Sequence, residues 1–250
     1  MDKIGVRKMK KVLKKCDIYR GNLILVNRDY LLNEEINLQD LEIMSDKNEM
    51  ILLEKNANKF LQFILREIHA NDKIVPVSGY RTREEQEKIF RDSKEENGEE
   101  FTLKYVALPN ASEHQTGLAI DLGWNVGTID FIRPSFPHNE LCDSFRNCAQ
   151  KYGFIERYPF DKEDITHISA EEWHFRYVGY PHSEIIENNH FCLEEYISYL
   201  KQYRYRENPF LYCDYEISYL PFTEEIEIDL ENTQVSGNNV DGFIITRKIK

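Results

Sequence analysis

The amino-acid sequence predicts a chain of mixed helix and strand that ends in a β-rich tail. Three observations carry this expectation. Across 49–69 apolar residues recur at 50, 53, 57, 60, 61, 64, 65 and 68, the period of an amphipathic helix. Short apolar runs at 73–78 and 117–123 alternate with further helical stretches. Beyond residue 211 the helical period gives way to β-rich segments at 212–220, 225–230 and 243–249 with a turn around 236–239.

Bulk properties narrow the function. The 250 residues are 41% hydrophobic and 12% aromatic, which allows a sizeable core and argues against disorder. Against 44 Asp+Glu stand 32 Lys+Arg, a formal charge of -12, so nucleic acid is not an expected partner, because phosphate binding needs a basic surface. Cys16, Cys142, Cys148, Cys192 and Cys213 are odd in number and form no CxxC pair, as expected of a reduced, cytoplasmic protein. The basic start is followed by no apolar signal-peptide run, and no stretch approaches the roughly 20 apolar residues of a membrane span.

Taken in order, residues 1–16 alternate Lys/Arg with Ile4, Val6, Met9, Val12 and Leu13, which suits a short amphipathic helix. A strand is expected at 23–27 and a polar loop at 33–48. The 49–69 helix leads to a strand at 73–78, whose Pro76 suggests a sheet edge. Gly79-Tyr80-Arg81 turns the chain, and Thr82 with Glu85 makes a capping box for a helix reaching about Glu96. Residues 98–111 and 124–138 read as loops. A helix is expected at 139–152 with Gly153 as its stop. Strands at 154–156 and 173–178 follow, then a break at 180–182, a short helix capped by Ser183, and a last helix at 191–203.

The chemistry concentrates in two stretches. In Ser112-Glu113-His114-Gln115-Thr116-Gly117-Leu118-Ala119-Ile120-Asp121, a loop enters a buried strand carrying an imidazole and a carboxylate. In Glu171-Glu172-Trp173-His174-Phe175, a second imidazole sits beside two carboxylates. Two His and one Asp match the donor count of a catalytic Zn²⁺ site, which leaves one position for water. Two neutral imidazoles and one carboxylate keep a net +1 at such a metal, which acidifies water. A carboxylate that does not bind the metal can act as general base and then general acid. Strand alternation puts Glu172, not Glu171, on the face of His174, so parity favours Glu172. Arg81, at a strand end, could hold a carboxylate or an oxyanion. Gln86, Ser112, Trp173 and Tyr80 are candidate cleft residues, whereas His69, His138, His167, His182 and His190 read as structural or surface residues. There is no GxSxG, P-loop or HExxH.

Ser78-Gly79-Tyr80-Arg81-Thr82, Ser112-x-His114-x-x-Gly117-x-Ala119-x-Asp121 and Glu171-x-Trp173-His174-Phe175-Arg176-Tyr177-Val178-Gly179 together resemble the VanY-type zinc D-alanyl-D-alanine carboxypeptidases. The resemblance spans about residues 20 to 200 and is most like the soluble VanXY-type D,D-dipeptidase/D,D-carboxypeptidases of glycopeptide (vancomycin-type) resistance. It implies an α+β fold with a central antiparallel sheet, packed helices and a β-rich C-terminal extension. The catalytic domain would take residues 1–205 and the extension, packed on it, 206–250. It implies one Zn²⁺ per chain on His114, Asp121 and His174, with Glu171 as catalytic base, which requires a bend near Glu171 that overrides parity. It further implies Arg81 on the oxyanion and Ser112, Gln86 and Trp173 on the terminal residue of a small peptide ending in D-Ala-D-Ala. Alternatives in the same scaffold are an L,D-carboxypeptidase, a peptidoglycan endopeptidase, or a non-catalytic zinc-containing module that binds cell-wall peptides.

Overall fold

The computed structural model describes residues 10–45 and 50–249. In chain order the elements are β1 (Lys10–Leu13), β2 (Leu41–Ser45), β3 (Ile51–Glu54), α1 (Lys55–Glu67), β4 (Ile74–Ser78), α2 (Arg83–Asn97) and α3 (Glu99–Tyr105). Then come β5 (Ala119–Trp124), α4 (Glu140–Ala149), β6 (Phe154–Tyr158), α5 (Glu163–Thr166), β7 (Glu171–Tyr177), α6 (His182–Asn188) and α7 (Leu193–Leu200). The tail holds β8 (Phe210–Tyr212), β9 (Tyr215–Pro221), β10 (Ile226–Asp229), β11 (Thr233–Gly237) and β12 (Gly242–Lys248). The fold is α+β, and no described helix is long and apolar enough to cross a membrane.

Two compact units emerge. The larger, Val26–Tyr196, is built on an antiparallel sheet of order β4-β5-β7-β6, with Pro76 on the edge strand as its missing N–H requires. One face of this sheet buries Ile120, Leu122, Phe154, Phe175 and Tyr177 against Leu61 and Ile64 of α1 and Cys142 and Phe145 of α4. Phe136, Phe145 and Phe175 meet edge to face at centroid separations of 4.8–5.7 Å, contacts worth about 0.5–1.5 kcal/mol each beyond their buried area. Strand alternation then turns Asp121 and His174 to the other face.

Several expectations need correction. The 49–69 helix begins only at Lys55, because 51–54 pair with β2 and Glu54 caps the helix by accepting from the N–H groups of Asn56 and Ala57. The expected loop at 33–48 therefore contains β2. The 98–111 loop contains α3, too short for a visible period. It is held to α2 by the 2.9 Å Ser93–Thr102 hydroxyl pair, with Glu99 and Glu100 favourably placed in its first turn. Ser183 does not cap α6; its hydroxyl donates to the carbonyl of Gln150 at 2.7 Å.

The second unit, residues 10–25 with 197–249, takes in the N-terminal segment as well as the tail. Residues 10–13 of the expected 1–16 helix form β1, antiparallel to β10; residues 1–9 lie outside the described part. Leu13 and Ile18 are buried with Ile228, Phe243 and Ile245, which ties this segment to the tail across more than 200 residues. The 23–27 run is no strand. The N–H of Leu23 bonds Ser236 Oγ, and that of Leu25 the carbonyl of Asn238, so a loop satisfies its backbone instead of a ladder. Four of the five tail strands form one antiparallel sheet, β11-β12-β9-β8, whose β11–β12 turn hangs three N–H groups on Asn238 Oδ1, while β10 pairs with β1.

His182 is buried, with its Nδ1 2.7 Å from the Tyr196 hydroxyl, and burial pushes its pKa down to about 3. The unfolded chain takes up this proton near pH 6.5, but the fold refuses it until far lower, so stability is lost as pH falls below about 6.5. His182→Gln is expected to remove about 1–2 kcal/mol of the stability change between pH 6.5 and 5, read from denaturant midpoints; an unaltered pH slope would contradict this.

Candidate metal centre and catalytic cleft

The register of β5 on β7 sets Asp121 directly opposite His174, so their side chains share a face. His114 arrives from the one-turn 3₁₀ segment Glu113–Thr116, which ends on Gly117 at φ +70°. A side chain at Gly117 would be strained there and would press on Leu41. Each of His114, Asp121 and His174 offers a ligand atom lying within 4.8 Å of the other two, and all three are buried.

The donor atoms are specified by their outer partners. Nδ1 of His114 sits 2.7 Å from the carbonyl of Gly79, so this nitrogen carries the proton and Nε2 is left for a ligand, 3.1 Å from Asp121 Oδ2. Gly79 is required where it stands, since a Cβ would lie 2.4 Å from the carbonyl of Leu52. His174 uses the opposite nitrogen: its Nδ1 faces Asp121 Oδ1 at 2.9 Å, and its Nε2 is buried without a hydrogen-bond partner among the described residues. Two imidazole nitrogens and a carboxylate converging in a buried pocket fit a zinc ion.

Electrostatics follow from this packing. Burial pushes His114 down to about 4, reinforced by the Arg81 charge. Burial would also lower His174, but its hydrogen bond to Asp121 and the nearby Glu113 carboxylate outweigh that and lift it to about 9. Burial would raise Asp121, yet the two imidazoles hold it well below the usual carboxylate range. Glu171 is pushed up to about 8 by burial, with Asp121 adding to the effect and His174 and Arg81 opposing it.

Glu171, not Glu172, is brought to the centre. Its Oε2 lies 3.7 Å from His174 Nδ1, whereas Glu172 is exposed and reaches His138 at the protein surface. The parity reading fails because β7 is irregular. Phe175 pairs with Glu156 and Glu171 with Tyr158, so four steps along β7 match two along β6, and the bend turns Glu171 inward.

A cleft over the cluster is lined by Arg81, Gln86, Ser112, Trp173 and Glu171. The Arg81 backbone is tied by its N–H to the His114 carbonyl at 3.3 Å, and its buried Nε has no hydrogen-bond partner among the described residues. Gln86 donates Nε2 to the carbonyl of Ala107 at 2.7 Å, which leaves its Oε1 buried and without a partner among the described residues. Tyr80 stands outside this lining. The cleft also takes in residues that sequence reasoning missed: Glu113, Tyr158, Tyr105, Phe131 and Ile168. Glu113 could have been noticed as a charge flanked by Ser112 and His114 inside the motif, and Arg157 as one of two adjacent charges in the strand Phe154–Tyr158.

Comparisons with known proteins point to one family. The VanY family model, described as D-alanyl-D-alanine carboxypeptidase, matches residues 50–180. Over 183 residues the chain is 40% identical to the bifunctional D-Ala-D-Ala dipeptidase and D-Ala-D-Ala carboxypeptidase VanXYC of Enterococcus gallinarum, covering 73% of this chain and 96% of that one. The crystal structure of the vancomycin resistance D,D-dipeptidase VanXYg, in complex with a D-Ala-D-Ala phosphinate analog, matches with a TM-score of 0.90 at 50% identity, over 95% of this chain and 98% of that one. A mutant of the vancomycin resistance D,D-pentapeptidase VanY, solved in complex with Zn(II), matches with a TM-score of 0.57 at 32% identity, over 70% and 98% of the two chains.

A ligand that binds only the folded state stabilises it, by about 2.7 kcal/mol at one hundred times its Kd. Zinc is therefore expected to raise the unfolding temperature of the wild-type chain, and chelator to reverse the rise. His174→Ala and Asp121→Asn should abolish it in calorimetry; an undiminished rise in both variants would put the metal elsewhere.

Proposed function

The chain belongs to the VanY family of D-alanyl-D-alanine carboxypeptidases, and we propose that it is a zinc D,D-peptidase. Its substrates are the free D-Ala-D-Ala dipeptide and peptidoglycan precursors ending in D-Ala-D-Ala. The observation that carries this reading is the buried convergence of His114, Asp121 and His174 at the floor of a cleft that Glu171 and Arg81 also line. Hydrolysis of that terminus removes the precursor end that glycopeptide antibiotics bind. The reading is supported by the similarity to VanXYC and VanXYg, the latter a vancomycin resistance D,D-dipeptidase.

Zinc, when bound, polarises the scissile carbonyl and makes water easier to deprotonate. The chain's own residues do the rest. Glu171 takes the proton of the attacking water and passes it to the leaving amine; its place beside the ligand face of His174 supports this role. Arg81 offers guanidinium N–H groups to the developing oxyanion, and its anchored backbone means little reorganisation is needed during reaction. Gln86 presents an acceptor oxygen to the cleft, which suits a substrate N–H better than a carboxylate. Trp173, only 9% exposed, gives a flat apolar wall for a D-alanine methyl, and the Ser112 hydroxyl is available to the terminal carboxylate.

Two substitutions test the assignment by D-alanine release from D-Ala-D-Ala and from a pentapeptide precursor. Glu171→Gln is expected to keep bound zinc and to lose about 10²–10⁴-fold in kcat. Arg81→Met is expected to lose about 10²–10³-fold, chiefly in kcat. A Glu171→Gln enzyme within tenfold of wild type would remove Glu171 from the reaction.

A further inference from the structure

A carboxylate adjacent to the ligand His114 serves the other imidazole. Glu113 is 1% exposed and, with its neighbours Ser112 and His114, belongs to the cleft lining. Its Oε1 receives two guanidiniums, Arg157 through Nε at 2.8 Å and Arg176 through Nη1 at 2.6 Å. Arg157 is in turn clamped by both oxygens of Glu194, at 2.6 and 2.9 Å, and Glu194 also accepts from Asn27. The two guanidiniums and two carboxylates balance in charge, and Glu113 is anchored between both arginines.

Its second oxygen is the informative one. Glu113 Oε2 is buried and has no hydrogen-bond partner among the described residues, and 3.7 Å away lies His174 Nε2, buried and likewise without a partner among them. A neutral imidazole has one N–H. If Nδ1 of His174 gives its lone pair to a metal, the proton must sit on Nε2, and Glu113 Oε2 is the acceptor it faces. Bringing the pair to hydrogen-bond distance takes a shift of about 0.7 Å from the 3.7 Å separation. The two ligand histidines are thus backed differently: His114 by a neutral peptide carbonyl, His174 by a carboxylate pinned between two arginines.

We propose that Glu113 is a positioning residue of the metal centre. Held by Arg157 and Arg176, it fixes the Nε2–H form of His174, aims Nδ1 at the ion and strengthens that nitrogen as a donor. This rests on the metal site read above, and the test separates the two. Zinc affinity is measured by chelator competition on the purified full chain, with zinc alone as probe. Glu113→Gln is expected to weaken zinc binding about 10–100-fold. Because that change leaves Arg176 short of a counterion, the double variant Glu113→Gln with Arg176→Gln removes both charges together and should show the same loss. Leu61→Ala, a core substitution in α1, serves as the control for general destabilisation and should stay within about twofold of wild type. In ¹⁵N spectra of the zinc-loaded wild type, His174 should carry its proton on Nε2. Affinity within twofold of wild type in both Glu113 variants, equal weakening in Leu61→Ala, or a proton on Nδ1 would overturn the proposal. No zinc binding by the wild-type chain would instead remove the metal site itself.

Discussion

The pairing of Asp121 with His174 across two antiparallel strands is the constraint on which this site depends. It fixes two of three candidate ligands through backbone hydrogen bonds, before any side chain chooses a rotamer. The same register sends Ile120 and Phe175 into the apolar core on the opposite face. A slip of one residue would exchange the two faces, burying the carboxylate among phenylalanines and exposing the core. Fold stability and site geometry are therefore the same requirement, enforced by the aromatic packing of Phe136, Phe145 and Phe175.

Around that pair the unit buries an unusual amount of charge. Glu113, Asp121, Glu171, Arg157 and Arg176 are all nearly inaccessible. Buried ions cost more to desolvate than a single partner returns, and removing one member of a pair typically costs about 3–5 kcal/mol. Here Glu113 is shared by Arg157 and Arg176, and Arg157 also by Glu194, so each ion has several compensating bonds. Such a network is rigid, which suits a centre whose donors must stay at fixed distances. The loops over the cleft, with exposed Phe131 among them, carry none of that burden.

Much of this was legible in the sequence, for local reasons. The candidate ligands lie in two short motifs, and the capping box of α2, the Gly153 stop and the strand flanking Pro76 are all set by neighbouring residues. What was not legible is non-local or irregular. Strand parity chose Glu172 because it assumes a regular strand, and the bend in β7 reverses the choice. Glu113 meets Arg157 and Arg176 across 44 and 63 residues, with no spacing to reveal it. The pairing of β1 with β10 spans most of the chain, so a basic, helix-like pattern at the N-terminus concealed a strand.

The most direct test is anomalous diffraction at the zinc edge from crystals of the chain loaded with one equivalent of metal. The account predicts a single strong peak about 2.0–2.2 Å from Nε2 of His114, a carboxylate oxygen of Asp121 and Nδ1 of His174. A peak bound by other residues, or one meeting His174 through Nε2, would contradict it.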